Sequence, residues 1–357
     1  MSEGSEGSPG AKQPRVTVLM SVYNGEAFLL ASVQSVLEQT FGDFEFLVID
    51  DGSTDDSLEI LQGIQDGRLR IVRNEENLGL IRSLNKGINL ARGEYIARHD
   101  CDDLMATERL HHQVSYLDSH SDVVLVGTWM QLIDARDQPI EPWCNPQSDV
   151  EIRWASLFNA AVSHPSSMYR TELARALGGY AAESVHAEDF DLWSRMAEHG
   201  AVANIPLILE FYRIHGESVS KKHEVKQLQT RYVIASRNIH RVMGDISFEP
   251  ALMELIIQTR MPVDSYELKQ MVLGYQSLAQ AFFVKHNVRE MLQKKIRMDI
   301  VERLSSAFQH VSWQSRIEVL LSCWTSFPMD FWLRGRFLSL VFNDQFKRNI
   351  ARLLGKA

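Results

Sequence analysis

The sequence "VTVLMSVYNGEAFLLASVQSVLEQTFGDFEFLVIDDGSTDDS" (residues 16–57) decides the fold class. It opens with a short apolar run, Val16–Val22, continues with apolar residues at helical spacing, and reaches a second apolar run, Phe44–Asp50. Apolar runs joined by an amphipathic helix are typical of parallel strands that are buried between helices. The segment that follows predicts a second helix, with Ser53 and Asp56 as a capping box.

The alternation of strand and helix continues to about residue 130. Three more strands are predicted from the runs "LRIVRN", "EYIARH" and "VVLVG", with amphipathic helices between them. Five repeats of this pattern predict an α/β fold with a Rossmann-like, mostly parallel sheet that is flanked by helices. Beyond residue 130 the sequence is irregular, and after Ser220 it is mostly helical in character.

Polar clusters follow three of the predicted strands, at Ser21–Asn24, Asp50–Ser53 and Asp100–Asp103. Ligands of parallel sheets bind at the carboxyl ends of the strands, so we expect the clusters to line one edge. Carboxylates at such an edge suit Mg²⁺ that bridges to a diphosphate, and an aspartate can also accept from a nucleobase or a ribose. The alternatives are a turn with a helix cap for the second cluster and an exposed acidic turn for the third.

Two later segments carry further candidates. Glu188 and Asp189 begin a predicted helix, where they either compensate the helix dipole or supply a general base in Asp189. His215 is either a structural or solvated histidine or the neutral imidazole that completes a metal site.

Composition excludes several classes of protein. The turn "SVYNGE" after the first strand contains neither GxGxxG nor GxxxxGK[ST], which argues against a dinucleotide site and a P-loop. Residues 1–220 hold 16 Lys and Arg against 34 Asp and Glu, which argues against nucleic-acid binding, whereas residues 221–357 hold 21 against 12. Three scattered cysteines indicate a reducing compartment, and no apolar run is long enough for a signal peptide or a membrane span. We therefore expect a cytoplasmic protein.

Taken in order, these segments resemble the family 2 glycosyltransferases, which have the GT-A fold. The resemblance covers about residues 14–220 and rests on residues 16–57 and on "NLGLIRSLNKGINLARGEYIARHDCDD", "HPSSMYR", "GGY", "AEDFDLWSR" and "YRIHGESVS". It implies a metal-dependent, inverting transfer of a hexosyl group from a nucleotide-diphospho-sugar, with a UDP-sugar as the expected donor. The acceptor would be a hydroxyl of a glycan or of a lipid-linked sugar, in polysaccharide, lipopolysaccharide or other glycoconjugate synthesis.

The resemblance also implies roles for single residues. Asp189 is the expected base, and Asp102 and His215 are the expected ligands of Mn²⁺ or Mg²⁺, with Asp103 as a substitute for Asp102. Contacts with the nucleotide-sugar are expected from Ser21, Tyr23, Asp51 at the base, Arg82, Asp100 near the ribose, and Glu188. The chain is then divided into a disordered tail (1–13), a nucleotide-sugar-binding half (14–130), an acceptor and catalytic half (131–220) and a helical C-terminal region (221–357).

Other functions stay open at this point. A metal-dependent phosphohydrolase could use Asp100 or Asp102, and a nucleotide-sugar-binding protein without turnover would keep the same residues. The C-terminal region is either a helical subdomain or an interfacial helix that holds the enzyme on the inner face of a membrane. Both readings depend on its aromatic and basic residues: Trp313, Trp324, Phe327, Phe331, Trp332, Phe337, Phe342, Arg334, Arg336, Lys347, Arg348 and Arg352.

Overall fold

The computed structural model describes residues 13–215 and 224–323, and within them nine strands form one sheet. The strands are β1 (Val16–Val22), β2 (Phe44–Asp50), β3 (Leu69–Arg73), β4 (Tyr95–Arg98), β5 (Leu104–Met105), β6 (Val123–Ile133), β7 (Pro139–Trp143), β8 (Met168–Arg170) and β9 (Ala201–Arg213). Their order is β3-β2-β1-β4-β8-β6-β9-β5, and β7 pairs with β6.

The sheet is mostly parallel, as predicted. Parallel pairing joins β1 to β2 and β4, β2 to β3, and β6 to β9. The short strand β8 lies antiparallel between β4 and β6, while β5 and β7 pair antiparallel with β9 and β6. The carboxyl ends of β1, β2, β4 and β6 therefore meet at one edge of the sheet.

Helices cover both faces of this sheet. They are α1 (Glu26–Leu37), α2 (Ser57–Gly63), α3 (Leu80–Leu90), α4 (Arg109–Ser119), α5 (Asp149–Ala155), α6 (Thr171–Ala176) and α7 (Glu188–Met196), with a short 3₁₀ helix at His164–Ser166. Alternate residues of β1 point to opposite faces. Val18 and Met20 pack in one core with Val33 of α1, and Leu19 packs in the other with Leu84 of α3.

The loops that follow β1 and β2 are bonded to each other. The hydroxyl of Ser53 accepts a hydrogen bond from the backbone N–H of Asn24 at 3.1 Å, and Ser57 Oγ accepts one from Gly25 N–H at 2.9 Å. The residue before α2 is Asp56, which makes no side-chain capping bond. The predicted capping box is therefore wrong, because the hydroxyl of Ser53 is used between loops and not at the helix end.

A second compact unit begins at Arg231. Its helices, counted with the helix that leads into it, are α8 (Glu224–Met243), α9 (Pro250–Ile257), α10 (Ser265–Lys285), α11 (Glu290–His310) and α12 (Trp313–Cys323). This composition confirms the predicted helical C-terminal region. Trp313 is exposed, whereas the predicted aromatic and basic residues from Trp324 to Arg352 lie outside the described residues, as do residues 1–12 of the predicted tail. No helix in the described part is long and apolar enough to cross a membrane.

Candidate functional site

The loop Asp100–Asp103, here called the acidic loop, leaves the carboxyl end of β4 and turns into β5. The side chains of Asp100 and Asp102 are 28% and 33% exposed. Asp103 is fully buried. The loop therefore presents two of its three carboxylates to the solvent.

A buried arginine compensates the first of these acids. Arg98, the last residue of β4, is buried and forms an ion pair with Asp100. Burial raises the pKa of Asp100, the Arg98 guanidinium lowers it, and the charge of Asp102 raises it further. The like charges of the acidic loop are thus opposed by a cation that belongs to the adjoining strand.

Asp102 is paired with His215, the second residue after β9. Its Oδ2 lies 2.9 Å from His215 Nε2. The ring of Phe28 lies 5.1 Å from the imidazole and also carries the guanidinium of Arg213, which is 4.5 Å from its centroid. Arg213 Nε donates to the backbone carbonyl of Asp102 at 2.7 Å. Side chain and backbone of Asp102 are therefore both held by the end of β9.

Asp103 faces the interior. Its Oδ1 accepts from the backbone N–H of Arg213 at 2.8 Å. Burial, together with the charges of Asp100 and Asp102, raises its pKa well above the ordinary value. This arrangement favours Asp102 as the metal-facing residue of the loop. The substitution of Asp103 for it stays a prediction.

A buried polar network lies beneath the acidic loop. His99 Nδ1 lies 2.7 Å from Glu210 Oε1, and Arg109 Nη1 donates to Glu210 Oε2 at 2.6 Å. On its other side, His99 Nε2 lies 3.1 Å from the hydroxyl of Ser32, which donates to the Asp100 carbonyl at 3.0 Å. Arg109 also donates to the Arg98 carbonyl at 2.8 Å. The network fixes the backbone on which the exposed acids sit.

Glu188 and Asp189 occupy the first turn of α7. Burial raises the pKa of Asp189 to about 6; the N–H of Phe190 and the Arg98 charge oppose this rise, and the charge of Asp100 adds to it. Burial and the charge of Asp189 raise the pKa of Glu188 to about 7. The charges of Arg98 and Asp100 both act on the pKa of Asp189, so this helix start is electrostatically coupled to the acidic loop. A carboxylate with a pKa near neutrality is suited to exchange protons with a substrate.

An aromatic cluster adjoins Asp189. His164 Nε2 lies 2.9 Å from the hydroxyl of Tyr180, and the rings of His164 and Trp193 are 5.9 Å apart. Burial and the charge of Arg98 lower the pKa of His164 well below its ordinary value. The segments "HPSSMYR" and "GGY" thus contact α7 through Trp193, one helical turn after Asp189.

The acids after β2 are arranged differently. Asp51 is 2% exposed. Its two oxygens accept from Asn74 Nδ2 at 2.7 Å, Ser83 Oγ at 2.7 Å, and the N–H groups of Leu78 and Gly79 at 2.9 Å. All four donors are protein groups, and two of them belong to the turn before α3. The contact of Asp51 with a base stays a prediction, while its support of that turn is observed.

The other expected nucleotide contacts lie around this turn and the end of β1. Ser21 is half-buried near the end of β1, and Tyr23, directly after that strand, is exposed. Arg82 is exposed in the first turn of α3 and has no ion pair or hydrogen bond to any described residue. Tyr23 and Arg82 are accordingly available for a ligand.

The side chains that could hold a divalent ion are Asp102 and His215. Within residues 13–215 and 224–323, no three or more His, Cys, Asp or Glu side chains gather closely enough to bind a metal by themselves. Two protein ligands fit Mg²⁺ or a similar ion that takes its remaining ligands from water and substrate phosphates. The residues present therefore fit an ion that is bound together with a diphosphate.

Sequence reasoning did not find Arg98, Arg109, Glu210 and Arg213. Each is a charged residue that is buried in the structure. Glu210 is the one charged residue in the run "PLILEFY", and a lone charge in an apolar run is a signal, since buried charges are nearly always paired. The partner could not be found in this way, because Arg109 is 101 residues away.

Comparison with known proteins identifies the family of the chain. The family model "Glycosyl transferase family 2" matches residues 17–178. An uncharacterized glycosyltransferase of Haemophilus influenzae is 31% identical over 247 residues, which are 66% of this chain and 76% of that protein. The Escherichia coli enzyme UDP-Glc:alpha-D-GlcNAc-diphosphoundecaprenol beta-1,3-glucosyltransferase WfaP is 25% identical over 244 residues, 64% of this chain and 90% of its own.

A solved structure confirms the architecture. S. aureus TarS 1–349, in complex with UDP-GlcNAc, superposes with a TM-score of 0.53 at 17% identity and covers 94% of this chain and 92% of its own. At this identity the likeness concerns the fold, which is the predicted α/β fold of the GT-A type. Together with the family model and the H. influenzae relative, it establishes that the chain belongs to glycosyl transferase family 2.

Proposed function

We propose that the protein is a metal-dependent, inverting glycosyltransferase that moves a sugar from a nucleotide-diphospho-sugar to an acceptor hydroxyl. The observation that carries this proposal is a pair of unlike acidic groups, one partly exposed at the carboxyl end of β4 and one in the first turn of α7, coupled electrostatically to Arg98 and Asp100 of that end. Asp189 has a pKa raised to about 6 by burial, and the half-exposed Asp102 is paired with His215. One group is suited to take a proton and the other to face a diphosphate.

In this mechanism Asp189 accepts the proton of the acceptor hydroxyl. The hydroxyl oxygen forms a bond to the anomeric carbon on the face opposite the diphosphate, and the bond from that carbon to the diphosphate oxygen breaks. The electron pair leaves with the nucleoside diphosphate. One displacement inverts the anomeric centre, so no second carboxylate is needed as a nucleophile.

Asp102 and His215 would hold the divalent ion, Mn²⁺ or Mg²⁺. When bound, such an ion neutralises the charge that builds up on the departing diphosphate. Arg213 and Phe28 orient these two ligands through the carbonyl of Asp102 and the ring of His215. Arg98 holds Asp100, which keeps that carboxylate toward the ribose side of the site.

We assign the nucleoside to the edge formed by Ser21, Tyr23 and Arg82, and Glu188 to the sugar side beside Asp189. A UDP-sugar is the donor that the resemblance favours. Asp51 would act mainly by fixing the turn that begins the helix of Arg82. The nucleotide-sugar half is then 14–130 and the acceptor half 131–220.

The acceptor is proposed to be a glycan or a lipid-linked sugar, because relatives of this chain include the E. coli glucosyltransferase named above, whose name gives a diphosphoundecaprenol-linked acceptor. A cytoplasmic enzyme that touches the inner face of a membrane through its basic, aromatic C-terminal region would meet such an acceptor. Co-sedimentation of the full chain with anionic vesicles tests this contact, and a chain that stays in the supernatant contradicts it.

A donor screen tests the central proposal. The full chain is heated with UDP-glucose, UDP-N-acetylglucosamine or GDP-mannose, with and without Mn²⁺, and a specific donor raises the melting temperature only when the metal is present. Stabilisation by no nucleotide-sugar would contradict the proposal. Phosphate release that is independent of the sugar would instead indicate a phosphohydrolase, and tight binding without transfer would indicate a binding protein.

A further inference from the structure

The exposed tryptophan at the end of β7 is held in place by the protein. Trp143 is 48% exposed. Its indole Nε1 donates to the side-chain oxygen of Asn145 at 3.1 Å. An exposed ring gains little from burial and loses rotamer freedom when it is fixed. Fold stability alone therefore gives little reason to hold it.

Asn145 is itself fastened from two sides. Its Nδ2 donates to the hydroxyl of Ser163 at 2.8 Å, and its backbone carbonyl accepts from the indole N–H of Trp129 at 2.9 Å. The bond between Trp143 and Asn145 therefore ends on structure that is continuous with the sheet. The exposed indole is presented from a rigid support.

This support leads to the candidate site. Ser163 begins the segment whose other end, the Ser167 carbonyl, accepts from the backbone N–H of Arg98 at 2.9 Å. Four residues that run mostly as a 3₁₀ helix cover about 8 Å, at roughly 2 Å per residue. Between the two ends, His164 contacts Tyr180, and its ring lies 5.9 Å from that of Trp193, one helical turn after Asp189 in α7. The anchor of Trp143 is thus within the length of a short oligosaccharide from the acidic loop.

The order of the strands sets the side of the site on which the ring lies. The proposed nucleoside contacts follow β1 and β2, whereas Trp143 ends β7, which pairs with β6 on the opposite side of β4. The helix α7, which carries Asp189, contacts β6, the strand beside β7, so the ring is on the side of Asp189, away from Asp51. A ligand that reaches both Asp189 and Trp143 is the acceptor and not the donor.

We propose that Trp143 is a stacking platform for a pyranose ring of the acceptor, one or more sugars away from the hydroxyl that reacts. The inference rests on the proposed glycosyl transfer and adds a subsite to it. An indole offers a flat apolar face with one polar edge. The polar edge is occupied by Asn145, so the face that remains suits the C–H face of a sugar ring.

Saturation-transfer NMR of the full chain with the methyl β-glycosides of glucose, galactose and N-acetylglucosamine tests this subsite. We expect ring-proton signals with the parent chain and with Trp143→Phe, and a decrease of about fivefold or more with Trp143→Ala. Ile140→Ala is the matched control. Ile140 is 53% exposed on the same strand, three residues away.

Absence of signal with the parent chain, or equal signals in Trp143→Ala, would overturn the inference. The rise in melting temperature with UDP-sugars and Mn²⁺ is measured on the same samples, and Trp143→Ala should leave it unchanged. A parent chain that binds pyranosides but no nucleotide-sugar would contradict the proposed function and leave the subsite standing. A chain that binds nucleotide-sugars but no pyranoside would contradict the subsite and leave the proposed function standing.

Discussion

Pairs of aspartates lie at the carboxyl ends of β2 and β4, and the two pairs look alike in the sequence but are used differently. Asp50 and Asp51 are both buried, and the oxygens of Asp51 are taken by four protein donors, two of them backbone N–H groups. In the acidic loop, Asp100 and Asp102 are partly exposed and face Arg98 and His215. The first pair closes a turn, whereas the second pair keeps carboxylate oxygens near solvent.

The comparison shows that the hydrogen-bond donors around a strand-end aspartate indicate its role better than its position in the sequence does. Backbone N–H donors are fixed by the fold, and a carboxylate that is saturated by them has little to offer a ligand. A carboxylate beside an arginine or histidine side chain keeps lone pairs that can be redirected to a metal or a substrate. Function should therefore be concentrated at the β4 end, and the following variants test this.

The largest effect is expected for Asp189→Asn, which removes the proposed base beside the β4 end. We expect the rate of transfer to fall by about 10³-fold, as for the loss of a general base. Donor binding should change by less than about twofold, because the amide keeps the shape of the carboxylate. Kinetics and donor titration measure the two, with Glu183→Gln as the exposed control, and lost donor binding would mean that Asp189 is misassigned.

The second effect concerns the metal. Asp102→Ala should weaken Mn²⁺-dependent binding of the donor by about 100-fold, while binding without metal stays the same. Calorimetry with and without Mn²⁺ measures this. Asp103→Ala distinguishes the two candidate metal ligands. A larger loss of metal-dependent donor binding in this variant than in Asp102→Ala would make Asp103 the ligand.

Asp51→Asn should act on stability. The amide places a donor against the N–H groups of Leu78 and Gly79, so we expect the free energy of unfolding to fall by about 2 kcal/mol. Asp102→Asn, at a partly exposed side chain, should change it by less than about 0.5 kcal/mol. Urea denaturation measures the free energy of unfolding of both variants. A larger loss for Asp102→Asn than for Asp51→Asn would contradict the contrast between the two pairs.

The last prediction concerns the dependence of stability on pH. The pKa of Asp189 is raised from 3.8 to about 6 and that of Glu188 from 4.5 to about 7, so the folded state holds more protons than the unfolded state between these limits. Their contribution to stability is complete below about pH 4 and is lost as the pH rises through 6 to 7. Asp189→Asn should flatten this slope in melting curves, and an unchanged slope would place its origin elsewhere.

The part of the fold that the sequence predicted is the part that local patterns determine. The runs Val16–Val22 and Phe44–Asp50 were predicted at their observed bounds, because continuous apolar runs next to amphipathic helices are a strong signal for buried strands. The strand β8 has three residues and owes its conformation to β4 and β6 on its two sides. Three residues are too few to show the alternation of apolar and polar residues that marks a strand. The sequence beyond residue 130 therefore looks irregular.

For the site, the residue types were predictable and their partners were not. Asp102 and His215 were chosen as a pair through the resemblance, and the structure brings them to 2.9 Å. Ser53 was expected to cap the helix that follows it and instead bonds to Asn24, 29 residues earlier. The sequence shows that the Ser53 hydroxyl can accept from a nearby backbone N–H. Whether that N–H belongs to the next helix or to another loop depends on how the loops pack in the folded protein.

The salt-bridged network of His99, Glu210 and Arg109 also has a consequence for the order of assembly. His99 and Glu210 are separated by 111 residues, and Asp103 and Arg213 by 110. Closing loops of this length costs entropy before the contacts repay it, so such pairings form late in folding. On the ribosome, β1 to β4 emerge long before β9, and the nascent chain therefore has this part of the sheet well before its acidic loop can be fixed. The proposed metal ligands, Asp102 and His215, come together only when the strand that carries Glu210 and Arg213 has joined the sheet.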